Sequence, residues 1–212
     1  MKLIELFNAI NPYVDKVYQP FIIAEIGVNH EGSMATAKRL VRDAKEGGAD
    51  AVKFQSYKAE TLASKDSPSY WDVEKEPTTS QYKLFKKHDS FWVDEMNELK
   101  GYCDSLGIEF MSTPFDLESA DFLNSMMDVY KISSSDITNK PFIEYICKFN
   151  KPVILSTGAS SLHEIQEAVS WIEKFGNSLA LLHCVLNYPT LDKNANLGMI
   201  LDLKAKFPDK II

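Results

Sequence analysis

Two short apolar segments each carry a lysine where a buried β-strand tolerates none without a partner: Ala51-Val52-Lys53-Phe54-Gln55 and Val129-Tyr130-Lys131-Ile132-Ser133-Ser134. Moving an ammonium out of water is costly unless an anion or an acceptor replaces the lost hydration. Strand alternation sets Val52 and Phe54 on one face and Ala51, Lys53 and Gln55 on the other, and it groups Lys131 with Val129 and Ser133. Polar side chains also stand at the C-terminal ends of neighbouring strand-like runs: Glu25, Thr113 and Ser156 within strands, Ser134, Asp136, Asn187 and Tyr188 in the loops that follow. Lysines, hydroxyls and an amide gathered together suit a phosphate or carboxylate ligand. For either lysine alone, the competing reading is snorkelling or pairing with Glu25. Thr113 and Ser156 also fit ordinary strand-end roles. His30, His88 and His163 read as loop or surface residues, and His183 as a core imidazole in mid-strand.

The elements that must position these groups follow from hydrophobic periodicity. Phe21 to Gly27 is an apolar run, followed by a polar turn and an amphipathic helix ending at Gly47-Gly48. Ala51 to Gln55, Glu109 to Phe115, Val129 to Ser133, Val153 to Gly158 and Leu179 to Val185 are further strands. Helices are expected from about Trp92 to Leu106, Leu117 to Met126, Pro141 to Phe149, Leu162 to Phe175 and Leu197 to Phe207. Lys210-Ile211-Ile212 begins another apolar run. Strands alternating with helices in one order imply an α/β fold with a parallel sheet and right-handed crossovers. Polar residues at the C-terminal end of nearly every strand favour a (β/α)8 TIM barrel over an open doubly wound sheet, with about six βα units and the start of strand seven in this chain. Strands two and four are both even, so Lys53 and Lys131 can share one interior layer and converge on one anion. Residues 56–90 break the rhythm as a long polar and aromatic loop, expected to overhang the active face as a lid.

The chain has 212 residues, 45% of them hydrophobic, which suits a single core. A formal net charge of -7 argues against nucleic acid or an anionic membrane as partner. Its three cysteines are widely spaced and odd in number, which indicates neither a disulfide framework nor a zinc ribbon. With an acidic residue at Glu5 and no long apolar run, the expected location is cytoplasmic.

The segment Phe21-Ile22-Ile23-Ala24-Glu25-Ile26-Gly27-Val28-Asn29-His30-Glu31-Gly32, together with Gly48-Ala49-Asp50-Ala51-Val52-Lys53-Phe54-Gln55, resembles the sialic acid synthase (N-acetylneuraminate synthase) family, which includes the pseudaminic and legionaminic acid synthases. Met111-Ser112-Thr113-Pro114-Phe115-Asp116, Tyr130-Lys131-Ile132-Ser133-Ser134, Lys151-Pro152-Val153-Ile154-Leu155-Ser156-Thr157-Gly158 and His183-Cys184-Val185-Leu186-Asn187-Tyr188-Pro189 match in the same order. The resemblance implies condensation of phosphoenolpyruvate with an N-acetylated sugar such as N-acetylmannosamine or a diacetamido hexose, giving a nine-carbon 2-keto acid and phosphate. It implies that Lys53, Thr113, Lys131, Ser134 and Ser156 hold phosphoenolpyruvate with Gln55 nearby, and that Glu25 faces the reacting carbons or the sugar. Asp136 stands where Glu is expected in the bacterial sialic acid enzymes, and Leu186 where they can carry Asn. Asn187 and Tyr188 complete the implied substrate contacts.

The resemblance further implies a divalent metal (Mn2+ or Mg2+) and a homodimer. In that family the metal ligands lie in later strands, so none is expected before Ile212. Residues 1–20 are then a lead-in segment and residues 21–212 the N-terminal portion of the barrel, a fragment expected to be inactive alone. The other readings are a class I Schiff-base aldolase, a different phosphoenolpyruvate-sugar synthase, and a non-catalytic carbohydrate-binding remnant.

Overall fold

The computed structural model describes residues 2–13, 19–187 and 189–212. They form two compact units, Phe21–Met127 and a second built from Met1–Pro20 with Asp128–Ile212. The N-terminal helix α1 (Leu3–Ala9) belongs to the second unit.

In Phe21–Met127 the order is β1 (Ile23–Gly27), α2 (Met34–Glu46), β2 (Ala51–Ser56), α3 (Ala59–Leu62), α4 (Gln81–His88), α5 (Val93–Leu106), β3 (Glu109–Pro114) and α6 (Leu117–Leu123). The strands pair in parallel as β1-β2-β3. Val52 and Phe54 are fully buried while Lys53 and Gln55 on the other face stay half-open, as strand alternation requires. Phe54 stacks on Phe110 of β3 with ring centroids 5.7 Å apart. The helices start and stop where the local chemistry dictates. Ser33 caps α2 by accepting the Thr36 N–H, and α5 ends at Gly107, whose φ of +64° suits a residue without a Cβ.

Residues 56–90, expected as a long polar and aromatic loop, have secondary structure of their own. They carry α3 and α4, an antiparallel bridge between Pro68 and Ser80, and a Trp71 indole N–H donating to the Glu76 and Thr78 carbonyls at 3.0 Å each. Two buried carboxylates hold the start of this excursion. Asp116 caps α6 by accepting the Ser119 N–H at 2.7 Å, and it also accepts the Thr61 hydroxyl at 2.7 Å and the Lys58 N–H at 3.3 Å. Asp89 accepts the Ala59 N–H at 3.0 Å, and its carbonyl takes the Lys58 ammonium at 2.9 Å. Both acids are distant in sequence from the turn they hold, and no local pattern announces them.

In the second unit β4 (Tyr130–Ile132), α7 (Lys140–Cys147), β5 (Val153–Ser156), α8 (Leu162–Glu173), β6 (Leu179–Leu182) and α9 (Gly198–Lys206) alternate, and β4-β5-β6 pair in parallel. Pro141 lies in the first turn of α7, and Ser161 with Glu164 forms a capping box on α8. Ile211 bridges Ala180 in parallel and its carbonyl accepts the Leu181 N–H at 2.8 Å, so the last apolar run lies beside β6. Strand β6 stops at Leu182. His183 therefore lies beyond the strand rather than within it, half-buried, with Nε2 donating to the Ala195 carbonyl at 2.7 Å.

The clamp on residues 58–61 depends on Asp116, so Asp116→Ala removes a helix cap and takes away the acceptor of the Lys58 N–H. Urea unfolding is expected to show a loss of about 2 kcal/mol. A change within about 0.5 kcal/mol, the range of an ordinary surface substitution, would refute the clamp.

Candidate functional site

The C-terminal ends of β1 to β3 bring together four of the candidate residues. Glu25 is the register partner of Lys53, and Gln55 that of Thr113. Lys53 Nζ and Glu25 Oε2 form a direct ion pair, with the lysine side chain 12% exposed and the carboxylate 46% exposed. The partner that a strand lysine needs is thus in the neighbouring strand, and the open side of that carboxylate faces solvent. The register slips between Glu25 and Gly27, a bulge of the kind that re-aims a strand-end side chain. Gly27 has φ +57°, and a Cβ there would lie 3.7 Å from the Gln55 amide nitrogen and 3.8 Å from Glu25 Oε1. Those two side chains therefore flank one glycine at the strand end. Thr113 is buried, and the preceding Ser112 shares a hydrogen bond of 2.8 Å with Ser56, tying the ends of β2 and β3.

The β1–α2 turn contains His30, which is buried rather than a surface residue, at 1% exposure. Its ring stacks on Phe91 with centroids 4.0 Å apart, and Nδ1 accepts the Gly32 N–H at 3.1 Å. Burial, aided by the charge of His88, lowers its pKa to about 4, so the imidazole is neutral with its proton on Nε2. The sequence shows only a polar turn there. The ring that covers His30 lies about sixty residues downstream, outside any local window.

In the second unit Lys131 is buried, with Nζ donating to the Ile132 carbonyl at 2.9 Å. Ser134 and Asp136 bound the 3-10 turn that follows β4. Burial pushes the Asp136 carboxyl up, against hydrogen bonds from Asn139 and Ser135 and the positive charge of Lys131. Ser156 is buried at the end of β5. Beyond it, the Thr157 N–H and hydroxyl both donate to the Leu182 carbonyl, and the Gly158 N–H donates to Cys184 Sγ at 3.0 Å. Asn187 is exposed, and its carbonyl accepts the Thr190 hydroxyl. Tyr188 lies outside the described residues.

Each sheet therefore presents one lysine, at least one hydroxyl and one carboxylate at the C-terminal ends of its strands, where α/β folds bind ligands. A depression of about 200 Å3 that includes Lys151, Phe175 and Asn177 lies instead at the N-terminal ends of β5 and β6 and includes none of the candidate residues. Among the described residues no group of three or more His, Cys, Asp or Glu side chains is placed to hold a metal ion, and no helix is long and apolar enough to cross a membrane.

Residues 40–211 match the NeuB family. An uncharacterized protein of Methanocaldococcus jannaschii is 45% identical over 197 residues, covering 92% of this chain and 55% of its own length. The N,N'-diacetyllegionaminic acid synthase of Legionella pneumophila is 41% identical over 200 residues, covering 88% of this chain and 54% of that enzyme. The chain thus spans about half the length of these curated relatives. The crystal structure of an N-acetylneuraminic acid (sialic acid) synthetase from Leptospira borgpetersenii, in complex with citrate, superposes with a TM-score of 0.79 at 32% identity. That match covers 93% of this chain and 67% of the synthetase, and it bears out the α/β fold with parallel strands.

The buried His30 makes stability pH-dependent. The unfolded chain takes up its proton near pH 6.5 and the folded chain only near 4, so the folded state binds fewer protons between those values. The stabilisation is fully present above pH 6.5 and is lost as the pH falls to about 4, by at most about 3 kcal/mol. Urea titrations from pH 7 to 4 should show this slope in the wild type and a shallower one in His30→Gln. Identical slopes would mean that His30 is not held neutral.

Proposed function

Because the chain belongs to the NeuB family, we propose that its protein condenses phosphoenolpyruvate with an N-acetylated hexose, giving a nine-carbon 2-keto sugar acid and phosphate. The observation that carries this reading is the family match over residues 40–211, which spans the elements bearing Lys53, Thr113, Lys131, Ser134 and Ser156. In this proposal residues 21–212 contribute six βα units and the start of a seventh strand to a (β/α)8 barrel.

The chemistry suits the residue types. C3 of phosphoenolpyruvate attacks the aldehyde carbon of the open-chain sugar, water adds at C2, and the tetrahedral adduct expels inorganic phosphate to leave the 2-keto acid. Negative charge accumulates on the departing phosphate, which fixed ammonium and hydroxyl groups stabilise. Lys53, Lys131, Thr113, Ser134 and Ser156 are assigned to the phosphate and carboxylate of phosphoenolpyruvate, with Gln55 alongside. Glu25, ion-paired to Lys53 and open on one side, is assigned to the reacting carbons and the sugar. Asp136, Asn187 and Tyr188 are assigned to the remaining polar groups of the substrates. The divalent metal (Mn2+ or Mg2+) that goes with this chemistry finds no fitting ligand cluster among the described residues, and no step is assigned through it. The sugar is N-acetylmannosamine or a related diacetamido hexose, and the 41% identity to a diacetyllegionaminic acid synthase supports including the latter. The protein acts in the cytoplasm and as a homodimer on this reading.

Phosphate release from phosphoenolpyruvate, measured on the intact protein across these sugars, tests the assignment. Lys53→Ala and Lys131→Ala should each lower kcat/KM by about 100-fold to 1000-fold while the thermal melt shows a folded protein. Near wild-type activity in either variant would defeat its assignment, and failure of every sugar to release phosphate would defeat the reaction itself.

A further inference from the structure

Three strand-end turns of the second unit meet at one glycine. The turn after β5 is stitched to the segment after β6 by the Thr157 bonds to Leu182 and by the Gly158 N–H on Cys184 Sγ. The turn after β4 approaches from another side. A Cβ at Gly158 would stand 3.2 Å from Ser134 Oγ and 3.1 Å from Cys184 Sγ, with the Cys184 carbonyl at 3.4 Å. The first two distances are closer than ordinary carbon contacts, so any side chain at 158 must push the serine hydroxyl or the thiol aside. The glycine is not required for an unusual backbone angle, because Gly158 is not among the residues with positive φ. What it supplies is space.

We propose that Gly158 and Cys184 are positioning residues that set the Ser134 hydroxyl for a phosphate or carboxylate ligand, an inference that rests on the phosphoenolpyruvate reading above. The thiol holds the Gly158 amide as its acceptor, and the bare α-carbon lets the hydroxyl come close. Neither residue needs to touch substrate. The free thiols Cys103 and Cys147 are of another kind, buried in the core with pKa values raised to about 12 by that burial. Cys184 is half-buried and packed at the strand ends.

Calorimetric binding of phosphoenolpyruvate to the intact protein, paired with KM for both substrates, tests this. Gly158→Ala should weaken phosphoenolpyruvate binding by about tenfold in the wild-type background but by about twofold or less in Ser134→Ala, because residues in contact are coupled and the crowded hydroxyl is then gone. KM for the sugar should stay put in Gly158→Ala. Cys184→Val, which removes the acceptor, should weaken phosphoenolpyruvate binding, and Cys184→Ser should recover most of the loss. Equal losses in both backgrounds would mean that the substitution merely distorts the turn, and would overturn the inference while leaving the reaction intact. No binding by the wild type would overturn both.

Discussion

A charge inside a parallel sheet must be met by another polar group, and both lysine-bearing strands obey this at their C-terminal ends. Lys53 is answered by Glu25 across one register position, and Lys131 by a backbone carbonyl and by the electrostatic reach of Asp136. Burying the aliphatic stem while keeping the ammonium at the strand end is what lets an apolar strand carry such a residue. The same end of each sheet is where the following turns begin, so hydroxyl-bearing and acidic residues gather at the strand ends of both sheets. Fixed cations at strand ends suit an anion site.

Rigidity around these ends comes from side chains outside the candidate set. Asp116 and Asp89 fix the turn after β2, the Ser56–Ser112 pair ties β2 to β3, and His30 packs as a flat neutral ring against Phe91. The imidazole stays uncharged there because burial penalises the charged form and the Gly32 N–H needs a lone pair on Nδ1. Supporting residues of this sort hold strand-end groups in fixed geometry.

The strands and most helices were legible because their signals are local. Apolar runs with Val, Ile and Phe, periodic helices such as α8, and stops such as Gly107 all lie within a few residues of the elements they define. Pairing of Lys53 with Glu25 was legible too, as one of the two competing readings of a lysine in a strand. What escaped depends on distant partners. Helix α4 has no fully buried residue and reads as polar, and it forms in an excursion anchored by Asp89 and Asp116. His30 looks solvent-facing until Phe91 arrives to cover it. His183 follows an apolar run that should have carried the strand onward, yet β6 ends at Leu182 and the imidazole finds the Ala195 carbonyl instead.

Gly158 shows why a glycine in a strand-end turn carries information that composition hides. Turn glycines are ordinarily explained by backbone angle, and Gly27 and Gly32 in the first unit fit that account with φ of +57° and +76°. Gly158 does not, so the pressure to keep it small must come from what surrounds it: a serine hydroxyl from one turn and a thiol from another, both within 3.2 Å of a missing methyl group. A site assembled from several strand ends needs its turns to approach more closely than side chains normally allow. Omitting one methyl at the meeting point achieves that at the cost of some chain entropy, and it ties the position of the Ser134 hydroxyl to a residue of a different turn.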